Sequence, residues 1–197
     1  MQASIFAHPS TKLTRQQRTL RMVQMAMLAA ISIVLVLLIR IPLFPAAPFL
    51  EYDMADVPVL LAAFMLSPVA GLLVLFVVSA IQAFLLGGNG IIGLVMHFFA
   101  SGVMVVAASL IYKWGKKSLW SLVAGLILGG LLRTGLMIPF NLVFIPMLFG
   151  APVEMVRGLI VPVLIPFNLI VAGLNSVIFF ILFKSLRYIL DKRAAAQ

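Results

Sequence analysis

Long apolar stretches, separated by short polar or basic segments, fill most of this chain. Six of them are predicted helices: residues 22–39, 55–66, 68–86, 93–112, 119–149 and 159–188. A helix needs about 20 apolar residues to cross a hydrocarbon layer of about 30 Å, and most of these stretches approach or exceed that length. The pattern predicts an all-α integral membrane protein, a bundle of six transmembrane helices. We expect a membrane domain over residues 22–190, a basic N-terminal tail or helix over 1–21 and a C-terminal tail over 191–197.

Only Ser67 and Pro68 separate the second apolar stretch from the third. Proline lacks a backbone N–H and disrupts the interior of a helix, so this pair indicates either a tight turn or a kink. A turn gives six crossings, whereas one long kinked helix gives five. An even number agrees with the distribution of charge, and we therefore predict a turn.

The distribution of charge also indicates a membrane protein. Only 10% of the residues are charged and 64% are hydrophobic, whereas about 25% of an ordinary soluble domain is charged. Eleven of the fourteen basic residues lie near the chain ends or between the fourth and fifth stretches: Lys12, Arg15, Arg18, Arg21, Lys113, Lys116, Lys117, Lys184, Arg187, Lys192 and Arg193. The positive-inside rule then predicts that both termini are cytoplasmic. The net charge of +9 is thus explained without a nucleic-acid partner.

A five-residue sequence, Ile-Pro-Phe-Asn-Leu, occurs twice and places Asn141 and Asn168 in the fifth and sixth helices. These helices run in opposite directions, so we expect the two amides at a similar outer depth. Asn175 follows Asn168 by about two turns and shares its face. The prolines free backbone carbonyls, which is tolerated beside protein or a water-filled cavity. The pattern predicts a polar pocket wall, and the alternative is that these residues join helices through interhelical hydrogen bonds.

The loop after the first helix, residues 44–58, combines prolines and aromatic residues with Glu51, Asp53 and Asp56. An apolar yet acidic loop is suited to covering a ligand, and its prolines reduce the entropy lost on closure. The alternative is that Asp53 or Asp56 caps the second helix. We expect Glu51 either to bind ligand hydroxyls or to pair with Arg40.

Three stretches carry a family resemblance: Phe-Pro-Ala-Ala-Pro-Phe-Leu-Glu-Tyr-Asp at 44–53, Asp-Val-Pro at 56–58, and Pro-Phe-Asn-Leu at 166–169, which Asn175 follows. Together they resemble the riboflavin-binding S components (RibU type) of energy-coupling factor (ECF) vitamin transporters. The resemblance covers residues 20–190. It implies a six-helix protein of the bacterial cell membrane that captures riboflavin from outside. It also implies docking on a T component and two ATPase subunits, which supply the energy. The alternatives are an S component for another vitamin and a stand-alone secondary carrier.

The resemblance also implies which residues bind the vitamin. An asparagine amide has a donor and an acceptor in one plane, which suits the uracil-like edge of isoalloxazine, and the candidates are Asn141, Asn168 and Asn175. Apolar walls are expected from Leu50, Phe140 and Phe167, and contacts to the ribityl hydroxyls from Glu51, Asn89 and His97. His97 is also explained as a packed histidine, and Asn89 as part of an outer turn. A lone histidine does not indicate a metal site, and we expect no cofactor besides the transported ligand.

The first helix contains Ala26 and Ala30, small residues four apart that open a groove for another helix. The resemblance implies that this groove docks on the partner subunits, and the alternative is packing inside the bundle. Arg133 lies deep in the fifth helix, where a cation needs a partner or water. The sequence assigns it none.

The chain lacks the motifs of the membrane enzymes we considered. It contains no cysteine, no His-Glu-x-x-His and no Gly-x-Ser-x-Gly, and we expect it not to be an enzyme. It also lacks the Gly-x-x-x-x-Gly-Lys-Ser/Thr loop that holds nucleotide phosphates. Any step driven by ATP must therefore take place on another subunit.

Overall fold

The structure is a computed structural model that describes residues 14–195. Residues 1–13 and 196–197, which include Lys12 and parts of both predicted tails, lie outside the described residues. The elements are α1 (Arg15–Leu38), β1 (Ile41–Pro42), β2 (Glu51–Tyr52), α2 (Asp56–Met65), α3 (Pro68–Leu85), α4 (Gly90–Trp114), α5 (Leu119–Phe149), α6 (Val153–Leu159), a π-helical turn (Ile160–Leu164) and α7 (Ile165–Ala195). The fold is all-α apart from the two short strands.

Five helical segments of the described chain are long and apolar enough to cross a membrane: Arg15–Leu38, Pro68–Leu85, Gly90–Trp114, Leu119–Phe149 and the continuous segment Val153–Ile189. Large apolar side chains such as Leu85, Trp120 and Val161 are exposed on their outer faces. Such a surface is stable against lipid and not against water. The protein is therefore an all-α membrane protein.

Helix α2 differs from the other five predicted spans because it is short. Its ten residues extend for about 15 Å, half of a typical hydrocarbon layer. Nine of them are buried, so α2 is enclosed by protein. The predicted turn after it is confirmed: Ser67 is extended, its side chain accepts a hydrogen bond from the Ala70 amide at 3.0 Å, and Pro68 begins α3.

Close packing of α4 on α5 sets the geometry of the bundle. A Cβ atom on Gly125 would lie 2.7 Å from the Ala108 carbonyl oxygen, and one on Gly129 would lie 2.8 Å from that of Met104. Glycines four residues apart thus let the two backbones approach each other. This contact fixes the two helices that form most of the cavity described below.

Aromatic side chains fill the bundle at the end where α2 and α4 terminate. The ring of Phe64 lies 4.8 Å from that of Phe179 and 5.1 Å from that of Tyr112, and Phe183 packs against all three. These side chains are buried. The polar cavity described below lies toward the opposite end of the bundle.

Candidate functional site

A cavity of about 180 Å³ lies between the loop after α1 and helices α4, α5 and α7. Seven of the nine ligand residues predicted from the sequence line it: Leu50, Glu51, Asn89, His97, Asn141, Phe167 and Asn168. The loop and the repeated asparagines therefore line the same cavity.

The two asparagines of the repeated sequence are held by their own helices. Asn141 donates from Nδ2 to the Met137 carbonyl at 2.6 Å, and Asn168 donates to the Leu164 carbonyl at 2.9 Å. These bonds are intrahelical and not the interhelical bonds of the alternative interpretation. Asn141 is 1% exposed, and its Oδ1 accepts no hydrogen bond from the described residues. A buried acceptor without a partner costs about 1–3 kcal/mol, so this oxygen is suited to receive a ligand donor.

The backbone before Asn168 is irregular. Residues Ile160–Leu164 form a π-helical turn that contains Pro162. Insertions of this kind are frequent at functional sites because they redirect the residues that follow. Leu164 ends the turn, and its carbonyl is the one that holds Asn168.

Asn175 is not among the residues that line the cavity. It donates from Nδ2 to the Asp53 carbonyl at 3.2 Å, and its Oδ1 accepts from the Tyr52 hydroxyl at 3.3 Å. Burial, followed by the charges of Asp53 and Asp56, raises the pKa of Tyr52 above its usual value. The phenol therefore stays protonated and remains a donor, and Asn175 fastens the loop to α7.

Phe140 also lies outside the cavity lining. Its ring packs edge-on against Phe99 at 5.9 Å and Phe144 at 5.5 Å. Neighbouring positions on a helix point about 100° apart, so Phe140 turns away while Asn141 faces the cavity.

The loop is held over the cavity at several points. Its central residues form an antiparallel ladder with the segment before the loop, in which Tyr52 pairs with Ile41 and Glu51 with Pro42. Phe44 packs edge-on against Phe167, with ring centres 6.5 Å apart. These contacts place Leu50 and Glu51 in the cavity wall.

The acidic residues of the loop have different partners. Glu51 Oε2 lies 3.4 Å from Arg40 Nε, which is one of the two predictions for it. Both side chains are more than a third exposed, so this pair contributes little to stability. Asp53 accepts from the Ala55 amide at 2.9 Å and from Gln82 Nε2 at 3.0 Å. It thus orders the backbone that enters α2.

The helix-cap prediction for Asp56 is wrong. Ala55 occupies the cap position without a side-chain bond, and the Asp56 carboxylate accepts a hydrogen bond from Arg133 Nη1. Arg133 also donates to Ser101 Oγ at 2.9 Å. Asp56 and Arg133 are 2% and 6% exposed. A buried cation without a charged partner is more costly than an uncapped helix end, so the Asp56 carboxylate pairs with Arg133.

His97 belongs to the same polar cluster. Its Nε2 lies 3.6 Å from Asp56 Oδ1, and its Nδ1 shares a hydrogen bond of 2.8 Å with Ser79 Oγ. Both His97 and Arg133 line the cavity. The described residues contain no group of acidic residues, histidines or cysteines that would hold a metal ion.

Sequence reasoning missed several lining residues that follow a helical period. In α5 these are Met137, Ile145 and Leu148, which share one face with Asn141. In α4 they are Gly93 and Ala100, three or four residues from His97. Extending the face of each predicted polar residue by helical spacing would have found them.

The two alanines proposed for docking lie on the outer face of α1. Ala26 and Ala30 are exposed, whereas the neighbouring Ala29 is 7% exposed and faces the bundle. In the described structure Ala26 and Ala30 are thus not packed inside the bundle, which was the alternative for them.

Comparisons with known proteins agree with this architecture. A family model described as the substrate-specific component of ECF transporters matches residues 20–183. The riboflavin transporter RibU of Staphylococcus aureus (strain TCH60) is 32% identical over 77% of this chain and 82% of that protein. RibU of Streptococcus thermophilus (strain ATCC BAA-250 / LMG 18311) is 31% identical over 77% of this chain and 75% of that protein.

One solved structure has the same fold, with a TM-score of 0.77 and 33% sequence identity. The match covers 88% of this chain and 99% of that one, described as the S component of a bacterial ECF transporter. The chain belongs to the family of ECF transporter substrate-specific components.

Proposed function

We propose that this protein is the riboflavin-capturing S component of an ECF importer in a bacterial cell membrane. The observation that carries the proposal is the cavity in which Asn141 and Asn168 lie together beneath the loop. Both relatives named above are riboflavin transporters, and each matches most of this chain. On this proposal the protein binds and presents a ligand and is not an enzyme.

The chemistry of the cavity suits a flavin. The uracil-like edge of the ring has an imide N–H between two carbonyls, and the free Oδ1 of Asn141 is an acceptor for that N–H. Leu50 and Phe167 supply apolar walls. Glu51, Asn89 and His97 supply polar groups for the hydroxyls of the ribityl tail.

The size of the cavity supports a mobile loop. Its volume of about 180 Å³ is below the range of about 300–1,000 Å³ usual for small-molecule sites. A three-ring ligand with a five-carbon tail therefore requires the walls to move apart. The loop is the wall that is not a helix, and its antiparallel ladder contains only two residue pairs.

We further assign the protein six crossings and cytoplasmic termini. Because α2 is enclosed by protein, it does not need the length of a helix that faces lipid. Counting α2 as a crossing brings the basic start of α1, the α4–α5 connection and the end of α7 to one side. The positive-inside rule makes that side cytoplasmic and directs the cavity outward.

Transport then requires partners in the same membrane. The chain has no phosphate-binding loop, so the ATP-driven step belongs to two ATPase subunits coupled through a T component. Ala26 and Ala30 provide an exposed strip of small side chains on which a partner helix can approach closely.

Reconstitution in sealed vesicles tests this proposal. The chain with a T component and two ATPases should accumulate riboflavin when ATP is supplied, and the chain alone should bind riboflavin without accumulating it. Accumulation by the chain alone without ATP would show a secondary carrier. Accumulation of a different vitamin by the full assembly would show another specificity.

A further inference from the structure

A buried ion pair between Arg133 and Asp56 adjoins the cavity, and Arg133 is the member of the pair that lines it. Arg133 lines the cavity, and its Nη1 binds Asp56 and Ser101. Its Nε donates to no atom of the described residues, and Asp56 Oδ1 accepts no hydrogen bond there. A donor on a residue that lines the cavity thus remains unpaired among the described residues.

This arrangement is costly if the pair serves only to join α2 to α5. Buried ion pairs recover their desolvation cost only when their remaining donors and acceptors are satisfied, and a partly satisfied polar network is worse than apolar packing. Inside a membrane protein, a buried arginine with an open donor therefore indicates a function. The adjoining cavity offers a partner.

A ligand hydroxyl matches the unpaired donor of Arg133 because its oxygen accepts a hydrogen bond. Arg133 Nε would donate to the hydroxyl oxygen, whereas Asp56, whose Oδ1 carries no hydrogen bond from the described residues, is not in the cavity lining and acts only by holding Arg133. His97, already expected to face ribityl hydroxyls, lies 3.6 Å from the same Asp56 oxygen. The polar groups for hydroxyls therefore continue from His97 to Arg133.

The spacing along α5 allows one ligand to reach both ends of this wall. Arg133 and Asn141 are eight residues apart, about 12 Å along the helix axis. A flavin whose ring edge meets Asn141 extends its tail over that distance. We propose that Arg133 is a specificity-determining residue that binds a hydroxyl of the ligand's polyol tail, with Asp56 holding its guanidinium in place. This inference rests on the proposed function.

The test compares riboflavin with lumiflavin, which has the same ring system and a methyl group in place of the ribityl tail. Arg133→Lys keeps the charge that pairs with Asp56 and removes the Nε donor. In the purified full chain, the variant should weaken riboflavin binding about tenfold or more, as expected for a hydrogen bond to a charged group. Lumiflavin binding should change by less than about threefold.

Thr134→Val is the matched control. Thr134 is the next residue of α5 and is 7% exposed, and among the described residues its hydroxyl bonds only to the Gly130 carbonyl. Removing this hydroxyl should leave the ratio of the two affinities unchanged. If Arg133→Lys does not fold, the double variant Asp56→Asn with Arg133→Gln, in which both charges are removed, replaces it. Its ratio of riboflavin to lumiflavin affinity is measured in the same way.

The outcomes separate this inference from the proposed function. If Arg133→Lys weakens the binding of both flavins equally, or of neither, the role of Arg133 is overturned. Riboflavin binding by the wild-type protein would still uphold the proposed function. Absence of flavin binding by the wild-type protein would overturn both.

Discussion

Replacing Asn141 with alanine should separate ligand affinity from stability. In the free protein, the side chain makes one hydrogen bond to the described residues, from Nδ2 to the Met137 carbonyl. Its Oδ1 is buried and has no partner in the part of the chain that the structure describes. The substitution therefore removes one favourable interaction and one unfavourable burial at the same time.

The expected magnitudes follow from these two groups. Losing the intrahelical bond costs about 0.5–1.5 kcal/mol, and removing the unsatisfied acceptor returns about 1–3 kcal/mol. Alanine also has the higher helix propensity. The free protein should thus be as stable as the wild type or slightly more stable. With riboflavin bound, the loss of an acceptor in a desolvated site should cost about 1–3 kcal/mol, or about 5- to 150-fold in Kd.

The assay is a riboflavin titration followed by quenching of flavin fluorescence, together with thermal unfolding of the ligand-free protein in the same detergent. Asn175→Ala is the comparison, because Asn175 lies outside the cavity lining but holds Tyr52 and Asp53. It should lower the stability of the free protein, whereas Asn141→Ala should not. Unchanged riboflavin affinity in folded Asn141→Ala protein would refute the assignment.

Three further predictions concern the loop and the docking face. The chain has no native cysteine, so a thiol reagent will report on a single cysteine introduced at Phe49. Labelling of this cysteine should be much faster without riboflavin than with it. Equal rates would mean that the loop is a fixed cap. Burial raises the pKa of Tyr52, so its contribution to stability should be intact below the ordinary tyrosine pKa near 10 and lost as the pH rises through the higher pKa of the folded protein. Tyr52→Phe should abolish this alkaline loss of stability, measured by unfolding as a function of pH. A loss that persists in the variant would belong to another group. Ala30→Trp should reduce riboflavin uptake by the full assembly and leave riboflavin binding unchanged. Leu132→Trp, at an exposed position of α5, should affect neither uptake nor binding. Loss of binding in Ala30→Trp would indicate that Ala30 packs within the bundle.

The helices were predictable because apolar length and the placement of basic residues are properties of the chain itself. The cavity was predictable in part, since the repeated asparagines and the acidic loop carry local signals. The Asp56–Arg133 pair was not, because its partners are 77 residues apart and no local pattern joins them. Asn175 follows Asn168 by about two helical turns, but its amide group is hydrogen-bonded to Tyr52 and Asp53. Only the packed position of the loop shows which amides remain for a ligand.

Direct titration of the purified chain with riboflavin tests the central claim. The account predicts saturable binding at one site per chain, with quenched flavin fluorescence, and no competition from thiamine or biotin at the same concentrations. Absence of riboflavin binding by folded protein, or displacement of riboflavin by one of those vitamins, would contradict it.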